Sequence, residues 1–193
     1  MNPGNFLAKL ESVVTGRGIK RVIGGVDINS IRDADGTILT AATEPSREAL
    51  ETSFIGLVVS SSQTDLGTLT FTVPRDYDAT VDKMRIRFLV NSGGTTDAPI
   101  LDAAIYCKKP GVALSADLNP TASAAIPKTS ATTGAAWREI VVGGEGLEPG
   151  DALTCVFSTG AHTSDAVNIY ALEVAYIGDI AYFEESERND WAD

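Results

Sequence analysis

The chain has 193 residues, of which 44% are hydrophobic and 21% charged, and its formal net charge is −11. This composition is that of one globular domain, or of one domain with an arm, rather than of a disordered chain. The negative charge argues against general binding to nucleic acid or to an anionic membrane, since both depend on basic surfaces. No apolar run is long enough to span a bilayer and no signal peptide is visible at the N-terminus, so we expect synthesis in a cytoplasm.

The first 53 residues differ from the rest and predict an N-terminal arm. Apolar residues at helical spacing predict a short helix over residues 3–15, and a basic Gly-rich segment follows it. Residues 44–50 are predicted to form a helical turn or a linker. An arm of this kind buries little by itself, so we expect it to contact its own sandwich or a neighbouring subunit. The residues assigned to this interface are Phe6, Leu10, Arg17, Lys20 and Arg21.

The stretch Asp33-Ala34-Asp35-Gly36-Thr37 predicts a tight turn between two short extended pieces, residues 28–32 and 37–40, because Asp-Gly favours such bends. The same stretch is a fragment of a calcium-loop pattern, in which alternate oxygen ligands precede a glycine. The third ligand and the bidentate Glu of that pattern are missing at the expected spacing. We therefore predict a turn and no metal.

From residue 54 onward, apolar and polar residues alternate in the manner of half-buried strands. About eight strands are predicted within residues 54–183, and no helical pattern lies between them. The predicted strands are residues 55–60, 66–73, 81–90, 100–108, 137–142, 152–159, 166–176 and 180–183. This pattern predicts an all-β fold, an antiparallel jelly-roll-like β-sandwich that follows the N-terminal arm and precedes an acidic tail, residues 184–193.

Two predicted strands flank a polar loop that contains His162, the only histidine of the chain. A Pro149-Gly150 turn precedes them, and together residues 147–176 predict a long antiparallel hairpin that closes the sandwich. A connection rich in Ala, Ser, Thr and Pro occupies residues 109–135. Long connections of this kind commonly carry function, so we expect this one to contact a partner.

The sequence offers little catalytic chemistry. Ser, His and Asp residues within one loop do not make a triad, so His162 is predicted to be exposed or bonded to backbone. Cys107 and Cys155 are predicted to be buried reduced thiols, with a disulfide between two strands as the alternative. Three strand carboxylates could form a hydrolytic pair but are more simply explained as outward-facing residues: Asp102, Glu139 and Glu173. We predict no enzyme, no cofactor and no metal site.

The large aromatic residues of the predicted strands and loops are scattered rather than clustered, and they are interpreted mainly as core residues. They are Trp137, Tyr77, Tyr106, Tyr170 and Tyr176. The alternative interpretation is a carbohydrate- or receptor-binding β-sandwich module, in which such rings stack on sugars and loops 91–98, 109–135 and 159–165 contact the glycan.

The sequence resembles small structural proteins of tailed phages, in which a Gly-rich and apolar arm precedes a small jelly roll. Four segments carry the resemblance: residues 69–78, 82–87, 147–151 and 167–176. The resemblance is to capsid decoration (cement) proteins and related virion jelly rolls, and it covers residues 54–183. It implies a non-enzymatic virion protein, made in the host cytoplasm, that trimerises and stabilises the shell by binding the major capsid protein or another virion protein. Trp191 in the acidic tail completes the predicted interface.

Overall fold

The computed structural model describes residues 19–52, 54–60, 67–78, 80, 83–121, 123–129, 131–143 and 146–179. These residues form ten strands and two short 3-10 helices, Ile28–Ser30 and Thr132–Gly134. The strands are β1 (Ile19–Val26), β2 (Ser46–Glu51), β3 (Phe54–Val59), β4 (Gly67–Thr72), β5 (Arg85–Ser92), β6 (Ile100–Lys108), β7 (Ser123–Ala125), β8 (Ala136–Val141), β9 (Ala152–Gly160) and β10 (Val167–Asp179). Neither helix in this part of the chain has the length or apolar character needed to cross a membrane.

The strands form two antiparallel sheets. Sheet A has the order β2-β3-β10-β5-β8, with β1 paired to the far part of β10. Sheet B has the order β4-β9-β6-β7. The predicted all-β, jelly-roll-like sandwich is therefore confirmed, and eight strands follow residue 53 in the described ranges.

The core lies between the two sheets, and the alternation seen in the sequence builds it. Phe88 of sheet A meets Phe157 of sheet B edge to face, with ring centroids 5.3 Å apart. Both rings are fully buried, as are Leu57 and Leu153 of the same core cluster. Burial of each such side chain contributes about 1.5–3 kcal/mol, so the alternating pattern fixes which face of each strand turns inward.

The predicted hairpin over residues 147–176 is wrong. Strand β9 lies in sheet B and β10 lies in sheet A, and the segment between them crosses from one sheet to the other. The apolar faces of the two strands meet across the core rather than side by side. Alternation specifies the buried face of a strand but not its hydrogen-bonded neighbour, and the short polar loop is compatible with either arrangement.

The described part of the predicted arm, residues 19–52, contributes more strand than predicted. β1 pairs with β10 over eight residues, and β2, where a helical turn or linker was expected, pairs with β3. A 3-10 helix replaces part of the extended piece 28–32. The turn at residues 33–37 is confirmed by a bridge between Arg32 and Ile38, with Gly36 at a φ of 83° that side-chain-bearing residues rarely adopt.

Several predictions fall on residues outside the described ranges. They are the helix over residues 3–15, the strand over residues 180–183, the acidic tail, and the interface residues Phe6, Leu10, Arg17 and Trp191. The other two interface residues, Lys20 and Arg21, belong to β1. Within the predicted 109–135 connection, residues 123–125 form β7, which pairs with the start of β6.

Candidate functional site

The outer surface of sheet A carries large polar and aromatic side chains in adjacent rows across three strands. Strand register places Trp137 opposite Leu89 and Leu89 opposite Ala171. The next row contains Glu139, Arg87 and Glu173, again on β8, β5 and β10. Because Ile86, Phe88 and Leu172 point into the core, these alternate residues face outward. We call this surface the sheet-A face.

Arg87 is the centre of the charged row. Its Nε donates to Glu139 Oε1 at 3.0 Å, and its Nη1 donates to Glu173 Oε2 at 2.7 Å. Arg85 Nε lies 3.5 Å from the second oxygen of Glu139. The Arg87 side chain is only 16% exposed although it faces away from the core. Charge-assisted hydrogen bonds thus hold three neighbouring strands together at a partly accessible surface.

The Arg87 guanidinium also packs on Trp137, with its central carbon 4.8 Å from the ring centroid. This is cation–π geometry, which fixes the orientation of the indole. Trp137 is half-buried on β8, the edge strand of sheet A, rather than a member of the core. The core interpretation holds for Tyr77, and Tyr176 packs against the core cluster, whereas Tyr170 is buried outside that cluster and Tyr106 is half-buried.

A second aromatic group lies on the other side of the sheet-A face. Phe54 on β3 is 46% exposed, and its ring centroid is 5.8 Å from that of Tyr170 on β10. The register of β10 shifts between Ile169 and Ala171, which takes Tyr170 out of the regular alternation. Phe54 and Trp137 stand three strands apart, about 14 Å at roughly 4.8 Å per strand. Ala171 and Leu89, which lie between Tyr170 and Trp137 on the sheet, carry no charge.

The Tyr170 hydroxyl is buried without a hydrogen-bond partner among the described residues, although the Asn91 and Asn168 amides lie nearby. Burial, and to a lesser degree the Glu51 carboxylate, raises the pKa of Tyr170. Asn91 is occupied elsewhere: its amide nitrogen lies 3.2 Å from the carbonyl oxygens of Thr129 and Ala131. Thr129 and Ala131 therefore limit one end of the sheet-A face.

His162 has a structural role. The ring is 1% exposed, its Nε2 lies 2.7 Å from Thr159 Oγ1, and its Nδ1 lies 2.8 Å from the carbonyl oxygen of Asp165. The carbonyl can only accept, so Nδ1 carries the proton and Nε2 accepts from the threonine hydroxyl. Of the two alternatives predicted for this loop histidine, the bond to backbone is confirmed and solvent exposure is wrong, and both ring nitrogens are engaged in hydrogen bonds.

Two of the loops suggested as glycan contacts are tied to each other. Asp97 Oδ2 accepts backbone N–H groups of Thr163, Ser164 and Asp165 at 2.7–2.9 Å, and these bonds lower the pKa of Asp97. Asp165 Oδ2 in turn accepts from Thr96 and Asp97. A Cβ at Gly94 would stand 1.9 Å from Asp165 Oδ1, so only glycine fits there. These polar groups serve the fold rather than a ligand.

Cys107 and Cys155 are both free and buried, as predicted, and the disulfide alternative is wrong. On the paired strands β6 and β9, Cys107 stands opposite Leu153 and Cys155 opposite Ile105, so the two thiols are offset along the sheet. Burial raises the pKa of Cys155 to about 12. Glu139 and Glu173 face outward as expected, and so does Asp102, whose pKa is raised by burial.

The Asp33–Gly36 turn borders a polar groove of about 510 Å³ whose other wall is formed by Thr68 and Thr70 of β4. Asp33 Oδ1 accepts the N–H groups of Asp35 and Thr37, so this carboxylate closes the turn. In the part of the chain that the structure describes, no group of three or more His, Cys, Asp or Glu residues is placed to hold a metal ion.

No family model and no curated protein matches this chain. Among solved structures it is similar to the CBM36-1 domain of a multidomain xylanase from the hindgut metagenome of Trinervitermes trinervoides, with 11% identity, a TM-score of 0.47 and coverage of 80% of this chain and 96% of that one. It is also similar to the xylan-binding module CBM15, with 10% identity, a TM-score of 0.46 and coverage of 81% of this chain and 97% of that one. A third similar structure is the CBM35 from Cellvibrio japonicus Abf62, with 12% identity, a TM-score of 0.45 and coverage of 80% of this chain and 92% of that one. Likenesses of this degree concern overall architecture and say nothing of what this chain binds.

Proposed function

We propose that this protein is a non-catalytic carbohydrate-binding module and that its sheet-A face is the binding surface. The observation that carries the proposal is the pairing of two aromatic groups, Trp137 and the Phe54–Tyr170 pair, across an uncharged floor. Sites for small ligands are mostly apolar and aromatic, with a few convergent polar groups that fix orientation. Sugar rings have this dual character, with C–H faces for stacking and hydroxyls for hydrogen bonds.

The charged row supplies the polar groups. Arg87, Glu139 and Glu173 lie directly beside the aromatic row, and their side chains are 16–38% exposed. Sugar hydroxyls both donate and accept, so they suit a surface that offers carboxylate acceptors and guanidinium donors together. Glu139 and Glu173 both bind the Arg87 guanidinium, so they do not form a free carboxyl pair. This arrangement supports glycan binding rather than acid–base catalysis.

The length of the face favours a short oligosaccharide over a single sugar. Phe54 and Trp137 are about 14 Å apart, which exceeds the width of one ring. Arg85 and Arg87 balance Glu139 and Glu173, so the charged row is close to neutral although the whole chain is at −11. We therefore infer a neutral glycan as the ligand class.

The test is binding of the full chain to a panel of neutral oligosaccharides, first on an array and then by calorimetry. Trp137→Ala should weaken binding by roughly tenfold or more, since removal of a stacked aromatic costs this order of free energy. Tyr106→Ala, on the outer surface of sheet B, is the matched control and should bind as the parent does. Equal binding by both variants, or no binding by the parent to any glycan, would refute the proposal.

The role of a trimeric capsid decoration protein stays a prediction. The residues assigned to its interface lie outside the described ranges, except Lys20 and Arg21 in β1. Co-purification of the chain with virus particles is the observation that would bring it forward, and its absence would count against it.

A further inference from the structure

The connection after β6 places an apolar cavity and an exposed leucine side by side. The cavity measures about 150 Å³, and its walls are mainly apolar. They include Cys107, Val112, Ala113, Leu118, Gly146 and Leu147. Leu114 lies between Ala113 and Ser115, which both line the cavity, but its own side chain points away and is 61% exposed. This is the largest exposed fraction among the large hydrophobic residues of the described ranges.

Leu114 belongs to a segment that is fixed to the free edge of β6. The backbone N–H of Ser115 donates to the Cys107 carbonyl at 3.0 Å, and Ser115 Oγ accepts from the Cys107 N–H at 2.9 Å. Leu118 N–H donates to the Ile105 carbonyl at 2.8 Å. The Val112 N–H donates to the Lys109 carbonyl at 3.3 Å, so backbone hydrogen bonds hold the segment on both sides of the leucine. It is presented to solvent at a fixed position.

We propose that two copies of this chain form a twofold dimer in which Leu114 of each copy enters the cavity of the other. A twofold interface uses the same patch on both subunits, so a projecting group and its complementary cavity must occur together on one patch. An apolar cavity of about 150 Å³ accepts a group as large as benzene, and the branched end of leucine is smaller than that.

The charges around the cavity are self-complementary. Lys109 Nζ lies 3.3 Å from Glu148 Oε2 and 3.2 Å from Asp151 Oδ2 on the cavity rim. Lys109 lines the cavity, and the Lys108 amine donates to the carbonyl of Val112, another lining residue; these two lysines and the two carboxylates together carry no net charge, on a chain whose total is −11. The Glu148 side chain is 72% exposed and can pair with a lysine of the second copy. Two copies therefore repel each other less here than over the average surface.

Sedimentation equilibrium of the full chain over a wide concentration range tests the proposal. We expect a monomer–dimer equilibrium in the parent, and a dimer dissociation constant at least roughly tenfold weaker in Leu114→Asp, since a buried charge would replace the apolar anchor. Ala113→Leu, which narrows the cavity, should weaken the dimer similarly. Ile38→Asp changes an equally exposed hydrophobic residue (56% exposed) outside this patch and should leave association unchanged.

Labelling of Cys107 gives a second readout, because its thiol lies on the cavity wall and Cys155 is fully buried. If Leu114 of the second copy fills the cavity, a small maleimide should modify Cys107 faster on dilution and fastest in Leu114→Asp. Thermal unfolding of each variant checks that it folds. A parent that is monomeric or trimeric at all concentrations, or a dimer that survives Leu114→Asp with unchanged labelling, would overturn the proposal. These outcomes are independent of glycan binding.

Discussion

The outer surfaces of the two sheets follow the same alternating pattern but carry different side chains. On sheet B, one row contains Thr70, Thr154 and Tyr106, and the hydroxyls of the two threonines are 3.1 Å apart. The neighbouring row contains Thr68, Val156 and Ala104. Sheet A instead carries arginine, glutamate and tryptophan at the equivalent outward positions. The two rows of sheet B consist of small or β-branched side chains and one tyrosine, whereas those of sheet A combine charged and aromatic side chains.

Strand propensity explains the first surface and not the second. Threonine and valine are favoured on a pleated, half-buried surface, so the rows of sheet B need no further cause. A surface arginine that bonds two carboxylates and packs on an indole loses much side-chain freedom when it is ordered. Sheet B forms without such a cluster in the two rows described above. The difference supports a binding role for the sheet-A face.

The largest effect on stability should come from Arg87→Met, which keeps most of the aliphatic stem and removes the charge. The substitution leaves Glu139 and Glu173 without their shared partner and frees the Trp137 ring. We expect a loss of about 1–2 kcal/mol in the free energy of unfolding, because the pairs are partly screened by solvent.

Urea denaturation of Arg87→Met and of the parent measures this loss. Glu139→Gln provides the comparison, since it keeps the Arg87–Glu173 bond and should cost less. If Arg87→Met is as stable as the parent, the charged row does not hold the sheet together. The contrast between the two surfaces would then be one of composition only.

The fold class and the buried faces could be predicted from the sequence, because both follow from alternation along single strands. Leu153, Cys155 and Phe157 are buried as their spacing requires. Strand pairing could not be predicted in the same way. The β9–β10 segment satisfies the alternation rule equally well as a hairpin or as a crossing between sheets, and only the three-dimensional packing decides between them.

The sequence indicated single residues of the candidate site but not their arrangement in space. Trp137, Glu139 and Glu173 were each noted, but Arg87 joins them through pairings between residues 52 and 86 positions apart in sequence. Register between distant strands determines such neighbours, and no local pattern encodes it. Phe54 was missed because it begins an apolar run. The sequence did contain a signal: in the alternation along this strand, Phe54 falls on the opposite face from the buried Leu57 and Val59.

A smaller effect is expected from Tyr170→Phe beside the sheet-A face. The substitution removes a buried hydroxyl that has no partner among the described residues, so the variant should equal the parent or gain up to about 1 kcal/mol at neutral pH. The raised pKa of Tyr170 gives the pH dependence. The folded state retains the phenolic proton more strongly than the unfolded state, whose tyrosine pKa is about 10. This contribution to stability is complete below that pH and is lost as the pH rises through the folded-state pKa.

Unfolding of Tyr170→Phe and the parent at pH 7 and at a pH above about 10, the unfolded-state pKa of tyrosine, measures this difference. The advantage of the variant should grow on the alkaline side, because only the parent must retain a neutral phenol there. A variant that is clearly less stable at pH 7 would mean that the hydroxyl has a bonded partner, and the sheet-A face would then contain one more structural contact.

The smallest effect should come from Thr154→Val in the middle of sheet B. The change is nearly isosteric, keeps the β-branched shape that strands favour, and removes one hydroxyl pair with Thr70. We expect the free energy of unfolding to change by less than about 0.5 kcal/mol, as for most surface substitutions, and glycan binding to be unchanged. Both are measured on the same sample by urea denaturation and calorimetry. A large change in either would show that the rows of sheet B are also specialised, since strand propensity alone predicts that valine replaces threonine there without loss.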